Sequence, residues 1–171
     1  FDEVATFSTL NFYFEKLNPH KFFNLMKLPG HDLYYILLKP WPIFFGKSEF
    51  ALRSLSTVFG VLSILLIYKL GKLFFNTRVG LISSFILCVS PIHIWYSQEA
   101  RGYSLSTFLV MLVFYLFSLA AEKNKLNLWI GFIVSSILAV YSNYLCIYAI
   151  IIISIFIFQK KYRYLFKKGL A

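Results

Sequence analysis

The chain has 171 residues, of which 59% are hydrophobic and 14% are charged, and its mean hydropathy is +0.70. A soluble domain of this length cannot bury so much apolar surface in one core, whereas membrane-spanning helices of about 20 apolar residues each expose it to lipid. The net charge of +10 would suggest nucleic-acid binding if the basic residues formed one wetted patch, but they lie between apolar runs. Composition therefore predicts an all-α, polytopic membrane protein and excludes a soluble domain and a nucleic-acid partner.

Residues 1–49 are predicted to form a loop at the outer membrane surface, because they mix acids, bases, aromatics and four of the five prolines. Phe7, Leu10, Phe14 and Leu17 recur at three- and four-residue steps, which is typical of an amphipathic helix lying in the interface plane. A second short helix is predicted from residue 33 to residue 38, ending before the prolines at 40 and 42.

Residues 50–159 are predicted to form a transmembrane helical bundle of about five spans. Ser48 is the predicted N-cap of the first span, with Glu49 in the first turn, where the helix dipole favours an acid. Pro91 is predicted to kink the second span, and a hairpin near Ser142-Asn143 divides an apolar run that is too long for one span. The predicted spans are residues 50–70, 79–97, 103–121, 126–142 and 144–159.

Basic residues are concentrated on one side of the membrane in this arrangement of spans. The links after the first and third spans, together with a basic segment at 160–171, hold ten bases and one acid, Glu122. The other side holds seven bases and six acids. Because short basic links mark the cytoplasmic side, we expect residues 1–49 and the turn at 98–102 to face outward. We also expect the chain to belong to a longer membrane protein, with one span before it and further spans or a soluble domain after it.

Three polar clusters fall on the predicted outer face. They are Asp2-Glu3, His31-Asp32 and the segment Ser97-Gln98-Glu99-Ala100-Arg101. An acid and a guanidinium two residues apart at a membrane boundary cost desolvation energy, which is the arrangement expected of a site that binds a lipid phosphate. The sequence therefore predicts chemistry at the extracytoplasmic surface.

Four segments in this order resemble the integral-membrane glycosyltransferases of the GT-C class, in particular bacterial and archaeal proteins similar to dolichyl-phosphate-mannose protein mannosyltransferases. They are Asp2-Glu3, His31 with Leu33-Tyr34-Tyr35, Ser48-Glu49-Phe50-Ala51-Leu52-Arg53, and the run from Ser90-Pro91 to Gly102-Tyr103. The resemblance extends from residue 2 to about residue 150. The last segment is long and specific, whereas an Asp-Glu pair alone is weak.

This resemblance implies transfer of a sugar from a polyprenyl-phosphate donor to a protein, lipid or glycan acceptor on the non-cytoplasmic face, with inversion at the anomeric carbon. Asp2 matches the family's first-loop acid, which would act as general base. Glu3 would position the acceptor or help to bind a divalent cation, although no cofactor is certain. Membrane lipids are the remaining expected partners.

The resemblance also suggests which cations face the departing phosphate: Arg101, Arg53 and His31. Glu99 and Gln98 are supporting residues, and Glu99 is expected to orient Arg101. The sequence departs from the family at Asp32-Leu33, where relatives often have two prolines. Asp32 would repel the phosphate, bind a metal or act as a second base. A further departure is Asn143, where relatives often carry a histidine.

Other interpretations stay open at this stage. The chain could be a segment of a transporter or flippase for lipid-linked sugars, or a non-catalytic membrane subunit. Asp2 and Glu3 could be solvated loop acids, and Arg53 and Arg101 could reach to lipid headgroups without binding substrate. His93 is expected to be structural, hydrogen-bonded to a neighbour.

Overall fold

A computed structural model of the chain describes residues 33–46 and 48–155. These residues form helices joined by short turns, with no strand among them, which confirms the all-α prediction. The first seven helices are α1 (Leu33–Leu38), α2 (Trp41–Phe45), α3 (Glu49–Phe74), α4 (Thr77–Cys88), α5 (Pro91–Gln98), α6 (Tyr103–Lys123) and α7 (Leu126–Ser142). A last helix, α8, covers Cys146–Ile155. The predicted amphipathic helix near the start of the chain and the basic segment at 160–171 lie outside the described residues.

The long helix α3 begins where its capping sequence predicts. The Ser48 hydroxyl accepts a hydrogen bond from the Ala51 amide at 3.2 Å, and Glu49 occupies the first turn. This satisfies one of the amide groups that a helix start leaves without a partner. Among the described residues, α3 and α6 are the two helices that are long and apolar enough to cross a membrane alone.

The predicted kink at Pro91 is a complete break. Helices α4 and α5 are separated by Val89 and Ser90, and their axes differ by 60°. Pro91 is the first residue of α5, where its missing amide costs nothing, but the same residue prevents α4 from continuing. Counted as one broken span, α4 and α5 bring the number of candidate spans to three.

The predicted count of five spans is not confirmed. Helix α7 ends at Ser142, as the predicted break requires, and Asn143 has extended backbone before the turn that leads into α8. However, α7 has 17 residues and the described part of α8 is shorter still, so neither passes as a span by length. The hairpin at this break stays a prediction. So do the predicted boundaries of the outer loop, the helical bundle and the basic segment, after residues 49 and 159.

Helices α3 and α6 run in the same direction. The rings of Phe59 and Phe108 lie 5.6 Å apart near the start of both helices, and Phe74 stacks on Phe114 at 5.2 Å further along. The broken span runs the opposite way, because the α4–α3 contact at Gly80 lies near the end of α3. The alternation matches the predicted threading.

Helix α7 is antiparallel to α6. The hydroxyls of Ser106 and Ser142 lie 3.0 Å apart at one end of the pair, and the rings of Phe117 and Trp129 lie 5.9 Å apart towards the other. The described helices therefore bring five bases and one acid to a single end of the bundle. These residues are Lys69, Lys72, Arg78, Lys123, Lys125 and Glu122.

Buried apolar residues from α1, α3, α6, α7 and the start of α8 form the core. Its members are Tyr34, Leu38, Leu52, Leu55, Leu105, Leu109, Val113, Ala139 and Cys146. By contrast, α4 presents Leu81, Ile82, Phe85 and Ile86 to the surroundings, more than half exposed. Such a surface is stable when lipid covers it.

Two glycines allow α3 and α4 to cross closely. A Cβ atom on Gly80 would lie 2.7 Å from the Tyr68 carbonyl oxygen, and one on Gly71 would lie 2.7 Å from the Gly80 Cα atom. Close approach at small residues is the usual way in which membrane helices gain packing energy, because lipid supplies no hydrophobic driving force between them.

Gly80→Ala is expected to lower the free energy of unfolding by about 1–3 kcal/mol, because the added methyl group overlaps fixed backbone. Gly131→Ala is the matched control, since its Cβ would meet Leu116 Cδ1 at an ordinary 3.4 Å. The measurement is thermal unfolding of the purified protein in detergent. Equal stability of the two variants would contradict the close crossing.

Candidate active site

Four charged residues mark one end of the bundle, which we call the polar end: Glu49, Arg53, Glu99 and Arg101. Glu49 and Arg53 lie in the first turns of α3, whereas Glu99 and Arg101 lie in the turn of residues 99–102 between α5 and α6. The basic residues that were predicted to face the cytoplasm lie at the opposite end of the bundle. The polar end therefore corresponds to the predicted outer face.

Hydroxyl groups of α3 hold the 99–102 turn against that helix. Ser56 donates to the Arg101 carbonyl at 3.3 Å, and the next residue, Thr57, donates to the Ser97 carbonyl at 3.0 Å. Helix α6 adds a third link, in which Ser104 donates to the Tyr96 carbonyl at 2.7 Å. Arg101 is therefore attached through its surrounding backbone to both long helices.

The Arg101 guanidinium has two neighbours within its own segment. Nη1 lies 3.5 Å from Glu99 Oε1, and the guanidinium carbon lies 4.9 Å from the centre of the Tyr103 ring. Burial alone would lower the pKa of Arg101, but Tyr103, Glu99 and Tyr35 together raise it. Arg101 therefore keeps its positive charge at every pH at which the protein can be studied.

Arg53 forms an ion pair with Glu49, one turn earlier on α3. The pair is largely accessible, with 36% of the Arg53 side chain and 61% of the Glu49 side chain exposed. Exposed pairs at this spacing add little stability.

The short helices α1 and α2 pack beside the start of α3. Tyr34 is fully buried, and its hydroxyl shares the single proton of the Ser56 hydroxyl with the Arg101 carbonyl, at 2.8 Å and 3.3 Å. The Trp41 indole donates to the Ala51 carbonyl and to the Ser54 hydroxyl, both at 3.0 Å. Burial lowers the pKa of Lys39, between the two helices. The loop residues nearest to α3 are thus fixed to it by hydrogen bonds.

The structure brings some of the predicted site residues together. Arg53, Arg101 and Glu99 all lie at the polar end, and Glu99 contacts Arg101 as expected. Gln98 is exposed at the end of α5. The other predicted residues, Asp2, Glu3, His31 and Asp32, lie outside the described residues, so their roles stay predictions. No group of three potential metal ligands occurs among residues 33–46 and 48–155.

His93 has the structural contact expected of it. Its Nε2 atom lies 3.3 Å from the Gly60 carbonyl oxygen on α3. A Cβ atom on Gly60 would lie 2.3 Å from the Ser97 hydroxyl, so α5 and α3 approach closely at this level as well. The histidine therefore contributes to packing beneath the polar end.

Sequence reasoning missed two features of the polar end. Glu49, predicted only as an acid in the first helical turn, is also the partner of Arg53, and the four-residue spacing on a helix would have indicated the pair. The hydroxyls of Ser56, Thr57 and Ser104 were also missed. Polar residues at the end of an apolar span beside a charged turn were the available signal.

A sequence model of the family described as dolichyl-phosphate-mannose-protein mannosyltransferase matches residues 36–171. The chain belongs to this family. The match includes Arg53, Glu99 and Arg101 and begins after His31. No curated protein and no solved structure gives a significant match. Membership implies a glycosyltransferase, and together with the two spanning helices it indicates an integral membrane protein.

The two ends of the bundle are expected to react with a membrane-impermeant maleimide from opposite sides. In a background with Cys88→Ser and Cys146→Ala, reagent added outside intact cells should label Gln98→Cys and leave Lys125→Cys unlabelled. The reason is the excess of bases at the Lys125 end. Permeabilised cells, in which both cysteines should react, are the control. Labelling of Lys125→Cys from outside would reverse the orientation.

Proposed function

We propose that the protein transfers mannose from a polyprenyl-phosphate carrier to an acceptor on the extracytoplasmic face, with inversion at the anomeric carbon. Family membership supports a mannosyltransferase. The lipid-linked donor, the outward-facing site and the inversion are the parts that this proposal adds. A protein is the acceptor suggested by the family description, and a lipid or glycan is the alternative.

The observation that carries the proposal is the state of Arg101. Its guanidinium is permanently charged, 32% exposed, and flanked by Glu99 and Tyr103 at the end of a membrane span. When the acceptor oxygen attacks the anomeric carbon, the bond from that carbon to the phosphate oxygen breaks and its electron pair stays on the phosphate. A fixed cation next to this leaving group lowers the barrier, because the negative charge grows during the step.

Arg53 is the second cation assigned to the donor phosphate. It lies three residues before Ser56, whose hydroxyl contacts the Arg101 backbone, so the two arginines belong to neighbouring segments of one surface. Their acidic partners Glu49 and Glu99 keep both guanidinium groups oriented before the donor arrives. Donors that are already oriented need no reorganisation when charge develops.

The proton of the acceptor hydroxyl needs a base, and we assign this role to Asp2 by its match to the family's first-loop acid. The carboxylate takes the proton as the new glycosidic bond forms, and the carrier leaves as the polyprenyl phosphate. Glu3 would position the acceptor, and His31 would contribute a third donor to the phosphate. Glu3 and Asp32 would be the ligands of a divalent cation where transfer requires one.

A transporter or flippase for the same lipid-linked sugars is the alternative function. Transporters place ionisable groups near the middle of the membrane, on interrupted helices. Here the broken span α4–α5 carries charge only at its outer turn and its inner end, at Arg78. The distribution of charge among the described helices therefore favours a reaction at the surface.

Arg101→Ala is expected to lower kcat/KM for mannosyl transfer about 100-fold, and Asp2→Asn to lower it about 100-fold or more. The measurement follows radiolabelled mannose from polyprenyl-phosphate mannose into protein and lipid fractions, using the full-length protein in membranes. Lys123→Ala, at the opposite end, is the matched control and should leave transfer unchanged. Label that crosses the bilayer without changing its carrier would favour the transporter.

Arg101→His is expected to make transfer depend on pH. Arginine stays charged across this range because its ordinary pKa lies far above it, whereas a histidine with an ordinary pKa of about 6.5 is mostly a cation only below that pH. The variant should retain more activity at pH 5.5 than at pH 8, relative to wild type at each pH. A constant ratio across this range would show that the charge at position 101 does not affect transfer.

A further inference from the structure

The carbonyl groups at the carboxyl end of α5 have no hydrogen-bond donors within that helix. The last carbonyls of any helix lack an amide partner within the helix, and those of α5 include the carbonyls of Tyr96 and Ser97. In an apolar environment each unsatisfied group is costly. Both carbonyls accept from donors outside α5, directly before the turn that carries Arg101.

Side-chain hydroxyls from other helices donate to two carbonyls of α5 and to the Arg101 carbonyl in the turn that follows. Ser104 of α6 donates to the Tyr96 carbonyl, Thr57 of α3 donates to the Ser97 carbonyl, and Ser56 of α3 donates to the Arg101 carbonyl. Ser56 and Ser104 are buried, with relative exposures of 0% and 3%. The three acceptor carbonyls lie on both sides of Glu99, so the bonds hold the segment before and after the ion pair.

Most other hydroxyls on these helices bond within their own helix and connect nothing. Ser63 donates to the Phe59 carbonyl of α3, Ser118 to the Phe114 carbonyl, and Thr107 to the Tyr103 carbonyl, the last two within α6. Bonds of this kind are local and do not fix one helix against another. Thr57 also reaches the Arg53 carbonyl of its own helix at 3.3 Å, but its bond to Ser97 is shorter, and each of the three contacts around the Arg101 turn joins two elements.

We propose that Ser56, Thr57 and Ser104 are positioning residues of the transferase, which hold the Arg101 guanidinium where the donor phosphate binds. They do not touch the substrate, and they act through the backbone of residues 96–101. Without them the turn would open while the long helices stay packed, since the core between α3 and α6 extends away from the turn to Leu109 and Val113. The role in transfer rests on the proposed function, whereas the restraint on Arg101 does not.

The restraint is tested by trypsin, which cleaves after Arg101 when the turn opens. Ser56→Ala, Thr57→Val and Ser104→Ala, singly and combined, are compared with the matched variants Ser63→Ala, Thr107→Val and Ser118→Ala. The full-length protein is used in detergent, where trypsin reaches both ends. We expect cleavage after Arg101 to rise about fivefold for each lost bond that restrains the turn. Thr57→Val should leave the unfolding temperature unchanged, whereas Ser56→Ala also removes the contact with Tyr34 in the core. The matched variants should behave as wild type.

Transfer is measured on the same variants with polyprenyl-phosphate mannose. The combined variant should lower kcat/KM about tenfold or more, and Thr57→Ser, which keeps the hydroxyl, should restore the loss caused by Thr57→Val. In an Arg101→Ala background the combined substitutions should lower transfer no further, because they act through Arg101. An additional loss in that background would overturn the positioning role.

The two readouts separate the possible failures. If cleavage after Arg101 does not change in the combined variant, or rises equally in the matched variants, the positioning role is wrong whatever the activity. If the wild-type protein transfers no mannose while cleavage rises as expected, the proposed function fails and the restraint on Arg101 stands. If both readouts change as expected, both proposals are supported.

Discussion

Polar groups inside a membrane must find partners within the protein, and the arrangement of the polar end follows from this constraint. Pro91 breaks the second span, so α5 is a separate short helix whose final carbonyls need donors. Hydroxyls of α3 and α6 supply them and thereby fix the turn between α5 and α6. The position of Arg101 is thus a consequence of how a broken helix is made stable in lipid.

Much of the fold could be predicted from sequence because it depends on local signals. Ser48 caps α3, Pro91 breaks the second span, and Ser142 ends α7, each at the predicted residue. The alternating directions of α3, the α4–α5 pair, α6 and α7 also agree with the prediction, which was based on charges lying at the ends of apolar helices. The number of spans was less secure, because a long apolar run shows where helices fit but not whether each crosses the membrane.

The candidate site was only partly predictable. The charged residues Arg101 and Glu99 could be found because charge is rare in such a chain and their pairing is local. The contribution of Ser56 and Ser104 could not, because a serine in a membrane helix bonds its own backbone as readily as another helix, and only the packing decides. The family match supplied what neither pattern nor packing contains, namely the type of reaction.

The contact between Ser56 and the Arg101 backbone also fixes the position of the Arg101 turn along the axis of α3. Ser56 lies seven residues after Glu49, which is about 10 Å along the axis of α3. The Arg101 turn therefore contacts α3 about two turns after the helix start, with α1 and α2 packed beside the same part of α3. A phosphate that binds this arginine would be partly shielded from water by protein on that side, and the attraction between opposite charges is stronger where water is partly excluded.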